Sequence, residues 1–286
     1  MYVKRLSYPM ELGLSTWTYH SIPIETAIIT IRKHAPTIHH LELWGNTPIH
    51  VNPVTCTLQH IATLNQLLRT NHLIPQSCHA PFDNLDLSDP SRNKLAIQAV
   101  IQTMLFCREI ECSTVIVHIS ASPGVKTLKE LQRAKECTIK TLKTIIDYPD
   151  THHIKILLEN LVPRPMHMRL GAEIEDLIDI AQTLDPRRVG ICIDTGHSLL
   201  NKHDPCSDIQ KAGNLLKSLH INDNDGLEDL HLVPGNGIIN WNRIYQTLQN
   251  IHYQGIFLLE VAGRTPVEQI VHTAIDYSRN LLHVRT

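Results

Sequence analysis

Nine side chains in this sequence are of the types that bind divalent cations, and each closes an apolar run or lies just beyond one. His79, His118, Glu159, Asp194, His220 and Glu260 end short aliphatic segments. His197 follows in the run DTGH, and Asp229 and His231 follow in EDLHLVPGNG. Imidazole nitrogen and carboxylate oxygen together suit borderline and hard divalent ions such as zinc, manganese or cobalt. Such an ion polarises carbonyl or phosphoryl oxygens and activates water. With 19 histidines in the chain, any one at a strand end carries little weight by itself. The joint pattern carries more. Glu159 and Glu260 follow ILL and FLL, where an unpaired carboxylate is costly to bury. Stability alone would explain the set only through several independent ion pairs at one end of the fold.

Residues so far apart in sequence meet only if their segments converge. Eight short β-rich runs recur at roughly 35-residue intervals, each followed by helical spacing, an alternation that predicts parallel strands with crossover helices. The expected strands are ELGLSTWT (11–18), HHLELWG (39–45), IPQSCHAPF (74–82), TVIVHIS (114–120), IKILLEN (154–160), VGICIDTGH (189–197), LLKSLHIND (215–223) and GIFLLEVAG (255–263). Between them, Ile61, Leu64, Leu67 and Leu68 keep helical spacing, as do Leu128, Leu131, Leu142, Ile145 and Ile146. Ser88, before Asp89 and Pro90, is the expected cap of the third helix. Eight units are the number that closes a barrel, so the expected fold is α/β, a (β/α)8 TIM barrel, with 1–286 as one domain. A doubly wound open sheet is the alternative. In a barrel all carboxyl strand ends share one face, where active sites form.

Weaker signals surround the nine. Glu42 and Trp44, on the second strand, are candidate pocket residues, Glu42 as a substrate contact; an ion pair and core packing are the plain alternatives. Arg164 and Arg169 could grip a phosphate or carboxylate, although solvated arginines are commoner. Gly235 and Gly237 suit either a close backbone approach to a ligand or a simple turn. Met166 and Met168 read as loop packing.

Composition narrows the class. Hydrophobic residues make up 42% and charged residues 19%, enough for a core and too even for a disordered tract. The net charge of −2 lacks the global basic footprint of a nucleic-acid binder, although bound cations or a local patch could still attract a phosphate backbone. Seven cysteines stand singly, without a CxxC pair, which fits reduced thiols in a cytoplasm. The start MYVKRLSYPMELGLS has no long apolar run, so neither an export signal nor a membrane span is expected.

The runs HAPF, VIVH, LLEN, CIDTGHS, HINDNDG, HLVPGNG and LLEV, in this order, resemble the xylose isomerase-like TIM-barrel superfamily, over nearly the whole chain. That superfamily includes sugar isomerases, epimerases and endonuclease IV. By resemblance to the epimerases, one divalent ion would be held by Glu159, Asp194, His220 and Glu260. By resemblance to endonuclease IV, three zinc ions would be held by His79, His118, Glu159, Asp194, His197, His220, Asp229, His231 and Glu260. The implied cofactor is therefore one to three divalent ions. The wording DNDG and HLVPGNG is closer to the sugar phosphate isomerase/epimerase group than to the DSKG-like and IGxG segments of endonuclease IV, and DTGH stands in place of DTCH. Gly226 occupies the position where epimerases usually carry a substrate-binding Arg.

Two reactions follow. In a sugar or sugar-phosphate isomerase or epimerase, Glu159 and Glu260 would remove and return a proton on opposite sides of the substrate, with His197, Arg169 and Glu42 as further substrate contacts. In an endonuclease IV-like phosphodiesterase acting on abasic DNA, Glu159 would bridge two ions and water would attack phosphorus. A metal- or sugar-binding protein without turnover is the third class, in which the paired carboxylates have no evident use.

Overall fold

The computed structural model describes residues 10–82, 85–120 and 124–283. The stretch 1–9, read above for an export signal, lies outside them. Eight strands alternate with helices: β1 (Leu12–Ser15), α1 (Ile24–His34), β2 (His40–Trp44), α2 (Leu58–Thr70), β3 (Ile74–His79), α3 (Asn93–Glu109), β4 (Thr114–Val117), α4 (Leu128–Ile146), β5 (Lys155–Glu159), α5 (Ile174–Gln182), β6 (Val189–Asp194), α6 (Thr195–Leu200), α7 (Pro205–Ala212), β7 (Leu216–His220), α8 (Trp241–Asn250), β8 (Phe257–Leu259) and α9 (Val267–His283).

The strands form one sheet in the order β7-β6-β5-β4-β3-β2-β1-β8, with parallel pairing throughout. A bridge joins its two edges just past β7: Ile221 N–H donates to Leu258 O at 2.8 Å, and Glu260 N–H donates to Ile221 O at 3.0 Å. The expected TIM barrel is thus present, and its seam closes between His220 and Glu260. Strand bodies such as Val115–Val117, Ile156–Leu158 and Val189–Ile193 are buried, as strands covered on both faces must be. Helical stripes including Ile28 and Ile31, Leu64 and Leu68, and Leu142 and Ile145 cover the outer face. Among the described residues no helix is long and apolar enough to cross a membrane, and all seven cysteines are free.

Local expectations need three corrections. Ser88 does not cap α3, which begins at Asn93; the Ser88 hydroxyl instead donates to Asp86 Oδ1 at 2.5 Å. The sixth strand stops at Asp194, whose side chain accepts from His197 N–H and caps α6, so His197 lies in the first turn of a helix. Asp229 and His231, expected as a D-x-H clip on an extended segment where alternate side chains point the same way, do not alternate in that manner. His231 adopts a left-handed φ of 45°, and that bend aims both side chains at one point.

Candidate metal centre

Strand alternation builds the floor of the centre. Ile116, Leu157 and Cys192 form a small buried cluster separate from the main core, inside the barrel. The next inward positions, two residues further on, are His118, Glu159 and Asp194. The ligand-type side chains therefore stand on an apolar plug at the carboxyl face. His79 and His220 end β3 and β7, and Glu260 follows β8.

Potential ligand atoms fall into three groups, each lying within 4.8 Å: His79, His118 and Glu159; Asp194, His197 and His231; and Glu159, Asp194, His220 and Glu260. Glu159 belongs to the first and third groups, and Asp194 to the second and third. Glu159 Oε2 lies 3.1 Å from His79 Nε2 and 3.3 Å from His118 Nε2, while its Oε1 lies 3.1 Å from His220 Nδ1. Asp229 completes the second group, 3.5 Å from His197 Nε2 and 3.3 Å from His231 Nε2. The structure brings all nine sequence-predicted side chains together.

Hydrogen bonding fixes how four of the rings face. His79 Nδ1 donates to Ala80 O at 2.8 Å, His197 Nδ1 to Asn160 O at 2.7 Å, and His231 Nδ1 to Glu260 O at 3.0 Å. His220 points its Nε2 at Glu42 Oε2, 3.0 Å away. In a neutral imidazole the other nitrogen then carries the lone pair. In every case that nitrogen faces a carboxylate of the centre. A lone pair opposite a carboxylate oxygen is repulsive unless a proton or a cation stands between them. His220 Nδ1 is buried and makes no hydrogen bond, although Glu159 Oε1 and Glu260 Oε2 lie 3.1 and 3.2 Å away. No Lys or Arg pairs with Glu159, Asp194, Asp229 or Glu260 among the described residues; their ion-pair partners are histidines. The donor set and its orientation fit divalent cations.

The same imbalance governs proton affinity. Burial by itself would lower His197, but Asp194, Asp229 and Glu159 outweigh it and push the ring up to about 10. Burial likewise opposes His231, which Asp229, Asp194 and Glu260 raise to about 9. Burial would raise Asp229, yet His197 and His231 hold it well below the carboxylate range. His118 goes the other way: burial outweighs Glu159 and pulls it down to about 4. Burial also raises Asp194, with Glu260 and Glu159 adding to the effect.

Above these side chains opens a cleft of about 360 Å³, lined among others by Trp17, Trp44, Phe82, Arg164 and Arg169. A second depression of about 420 Å³ adjoins it and shares Val162, Arg164 and Asp229. Arg169 reaches the cleft as a strut: its guanidinium donates to Ser120 O at 2.8 Å and to Val162 O at 3.1 Å, bracing the loops after β4 and β5. Burial, reinforced by Arg164, lowers it to about 10. Glu42 is not on the cleft wall. Fully buried behind His220, it accepts from Ser15 Oγ and Ser77 Oγ, so a direct substrate contact is replaced by a contact with a ligand-type ring. Gly235 and Gly237 approach Asp223 rather than the cleft, and a Cβ at Gly237 would sit 2.3 Å from Asp223 Oδ1. Met166 is 97% exposed rather than packed into a loop core, whereas Met168 pairs with Val125 through the main chain.

Several contributors escape a reading based on ligand types. Asn160 clamps Asp194, accepting from its N–H at 2.6 Å and donating to its carbonyl at 3.0 Å. Asn222 Nδ2 donates to Asp194 Oδ2 at 2.7 Å. Both amides directly follow or closely follow a candidate ligand, in LLEN and HIND, and that adjacency was the available signal. Trp17 lies 4.6 Å from the His231 ring and Phe82, at the end of the run HAPF, lies 4.4 Å from the His118 ring, centroid to centroid.

Comparison with known proteins agrees with this architecture. A family model described as xylose isomerase-like TIM barrel matches residues 39–281. The chain is 25% identical over 191 residues to a probable endonuclease 4 of Mesomycoplasma hyopneumoniae (strain 7448), covering 63% of this chain and 64% of that protein. It is 21% identical over 259 residues to fructoselysine 3-epimerase of Escherichia coli O157:H7, covering 88% of this chain and 90% of that protein. In that endonuclease 4 and in two uncharacterized proteins of Methanocaldococcus jannaschii, the matched stretch spans 64% to 74% of the relative's length. A solved structure of a D-tagatose 3-epimerase-like protein superposes with a TM-score of 0.81 at 22% identity, covering 96% of this chain and 98% of that one, and shares the fold.

Proposed function

Because the chain belongs to the xylose isomerase-like TIM-barrel family, we propose that it is a metal-dependent enzyme that hydrolyses phosphodiesters, with water as the nucleophile. The observation that carries this reading is the set of three ligand groups joined through Glu159 and Asp194. His79, His118 and Glu159 would hold one ion; Asp194, His197, Asp229 and His231 a second; Glu159, Asp194, His220 and Glu260 a third. Ions so held would supply Lewis-acid stabilisation to a phosphoryl group and would make water nucleophilic near neutral pH. A single-ion proton-transfer enzyme has no evident need for the Asp229 and His231 arm.

The chain's own residues would do the rest. Arg164 and Arg169 face the cleft, and neither forms an ion pair among the described residues, which leaves cationic wall opposite an acidic floor. A phosphoryl group, anionic and rich in acceptors, suits the space between them. Trp17, Trp44 and Phe82 limit water around the reacting atoms. The adjoining depression beyond Arg164 would receive the portion of a diester that extends past the phosphorus.

The relative named endonuclease 4 supports this chemistry, with abasic duplex DNA as the first substrate to try. The test uses zinc-reconstituted protein, a metal count per chain, a duplex carrying a tetrahydrofuran abasic analogue, and bis(4-nitrophenyl) phosphate. Cleavage that is lost on chelation is expected. Intact diester in both assays with three ions bound would overturn hydrolysis. A second reading, sugar isomerisation or epimerisation, is favoured by one observation: Glu159 and Glu260 flank His220 as a carboxylate pair able to take and return a proton. The relative named fructoselysine 3-epimerase supports it. Solvent deuterium entering a ketose or ketose phosphate would favour that reading; none entering any of a panel would remove it.

A further inference from the structure

His79, His197 and His231 each anchor one ring nitrogen on a main-chain carbonyl, which is neutral. His220 alone anchors on a carboxylate, Glu42 Oε2 at 3.0 Å. Glu42 is fully buried and its ion-pair partner among the described residues is His220, itself fully buried. A carboxylate in such a place is expensive unless paired and hydrogen-bonded. Its remaining lone pairs are met by Ser77 Oγ, donating to Oε2 at 2.8 Å, and Ser15 Oγ, donating to Oε1 at 3.2 Å. Four strands thus contribute to one device: β1 through Ser15, β2 through Glu42, β3 through Ser77 and β7 through His220. On the far side of the ring, Nδ1 is buried without a hydrogen bond and points between Glu159 and Glu260.

We propose that Glu42 is the positioning residue of the central ion: it holds the His220 Nε2–H and thereby presents the Nδ1 lone pair to the group formed with Glu159, Asp194 and Glu260. The inference rests on the metal-binding reading above and adds a residue that touches neither substrate nor ion. A carboxylate behind a ligating imidazole fixes its tautomer and orientation, and loss of such a partner typically costs 10- to 100-fold in metal affinity. Because Glu42 hydrogen-bonds His220 and acts on His79 only through its charge, the effect falls chiefly on one of the three groups.

The test compares wild-type protein with Glu42→Gln and Glu42→Asp. Gln keeps the shape but removes the charge; Asp keeps the charge but withdraws the oxygens by roughly 1.5 Å, one C–C bond. Zinc per chain is followed against a competing chelator at pH 7, with 15N spectra of the histidine side chains of the zinc-loaded proteins. In wild type the His220 ring should appear as the Nε2-protonated, Nδ1-ligated form. In both variants one ion should dissociate at about 10- to 100-fold lower chelator concentration while the others are retained, and the melting temperature of the metal-free variants should stay near that of wild type. Unchanged affinity for every ion, or equal loss of all ions together with a lowered metal-free melting temperature, overturns the proposal and leaves metal binding standing. Failure of wild-type protein to bind any divalent ion overturns both.

Discussion

Loading the metal-free protein with zinc at pH 7 should expel protons, and the structure says from which rings. His197 at about 10 and His231 at about 9 both hold a proton at pH 7, whereas His118 at about 4 does not. A ligating imidazole must be neutral. Filling the group of Asp194, His197, Asp229 and His231 should therefore release about two protons per chain, one from each ring. His220, also raised once Glu260, Glu42 and Glu159 offset its burial, adds to that number when the central group fills. Calorimetric titration in two buffers of different ionisation enthalpy reads the count directly. Release of fewer than about one proton at saturation would refute the reasoning, because the carboxylates would then not be holding protons on the rings.

The same shifts make a stability prediction. A histidine whose folded pKa lies above its unfolded value near 6.5 stabilises the fold fully below that value, and the contribution is lost as pH rises through the folded pKa. For His231 and His197 the window of loss runs from about pH 6.5 to about 9 and 10. At about 1.4 kcal/mol per unit the upper bounds are roughly 3 and 5 kcal/mol. They are shared rather than additive, since both rings lean on Asp229. Urea unfolding of the metal-free protein should thus show a falling free energy between pH 7 and pH 10, and the zinc-loaded protein should resist that fall. A metal-free stability that is flat or rising across this range would contradict the assigned charges.

Other perturbations probe single links of the centre. Glu159→Gln removes the carboxylate shared by two ligand groups, so metal content should drop by about two ions and turnover by on the order of a thousandfold under either reaction; retained activity would remove Glu159 from both readings. His231→Asn touches the second group, and should cost diester cleavage far more than any ketose deuteration, as parallel kinetics on the two substrate classes would measure. Gly196→Ala would place a Cβ 2.1 Å from Asn222 Oδ1, pushing away the amide that holds Asp194; about 1–3 kcal/mol of lost stability is expected in urea titration, together with weaker zinc binding.

How much of this was legible depended on what each residue answers to. Strand bodies answer to period and burial, so all eight appeared in the sequence, and their polar ends led to Glu159 and Asp194 through simple alternation above Leu157 and Cys192. Glu42 has the same alternation, yet its partner lies across the barrel on β7, 178 residues away, and no local pattern reveals whether an inward carboxylate meets substrate or a ring. Loop wording answers to something else again. The runs DNDG and PGNG leaned toward sugar chemistry, but their residues are mostly engaged with one another. Asp223 accepts from the N–H groups of Asn224, Gly235 and Ile239 and from Trp241 Nε1, and Asn224 Oδ1 accepts from Gly226 N–H. Asp223 and Leu232 also exchange main-chain hydrogen bonds of 2.7 and 2.8 Å, directly beside His231. These runs build a scaffold that sets Asp229 and His231 over His197, and a scaffold of that kind is compatible with more than one substrate. The wording of these runs therefore does not separate the two reactions, and the proposed phosphoryl chemistry rests instead on the ligand-type group of Asp194, His197, Asp229 and His231.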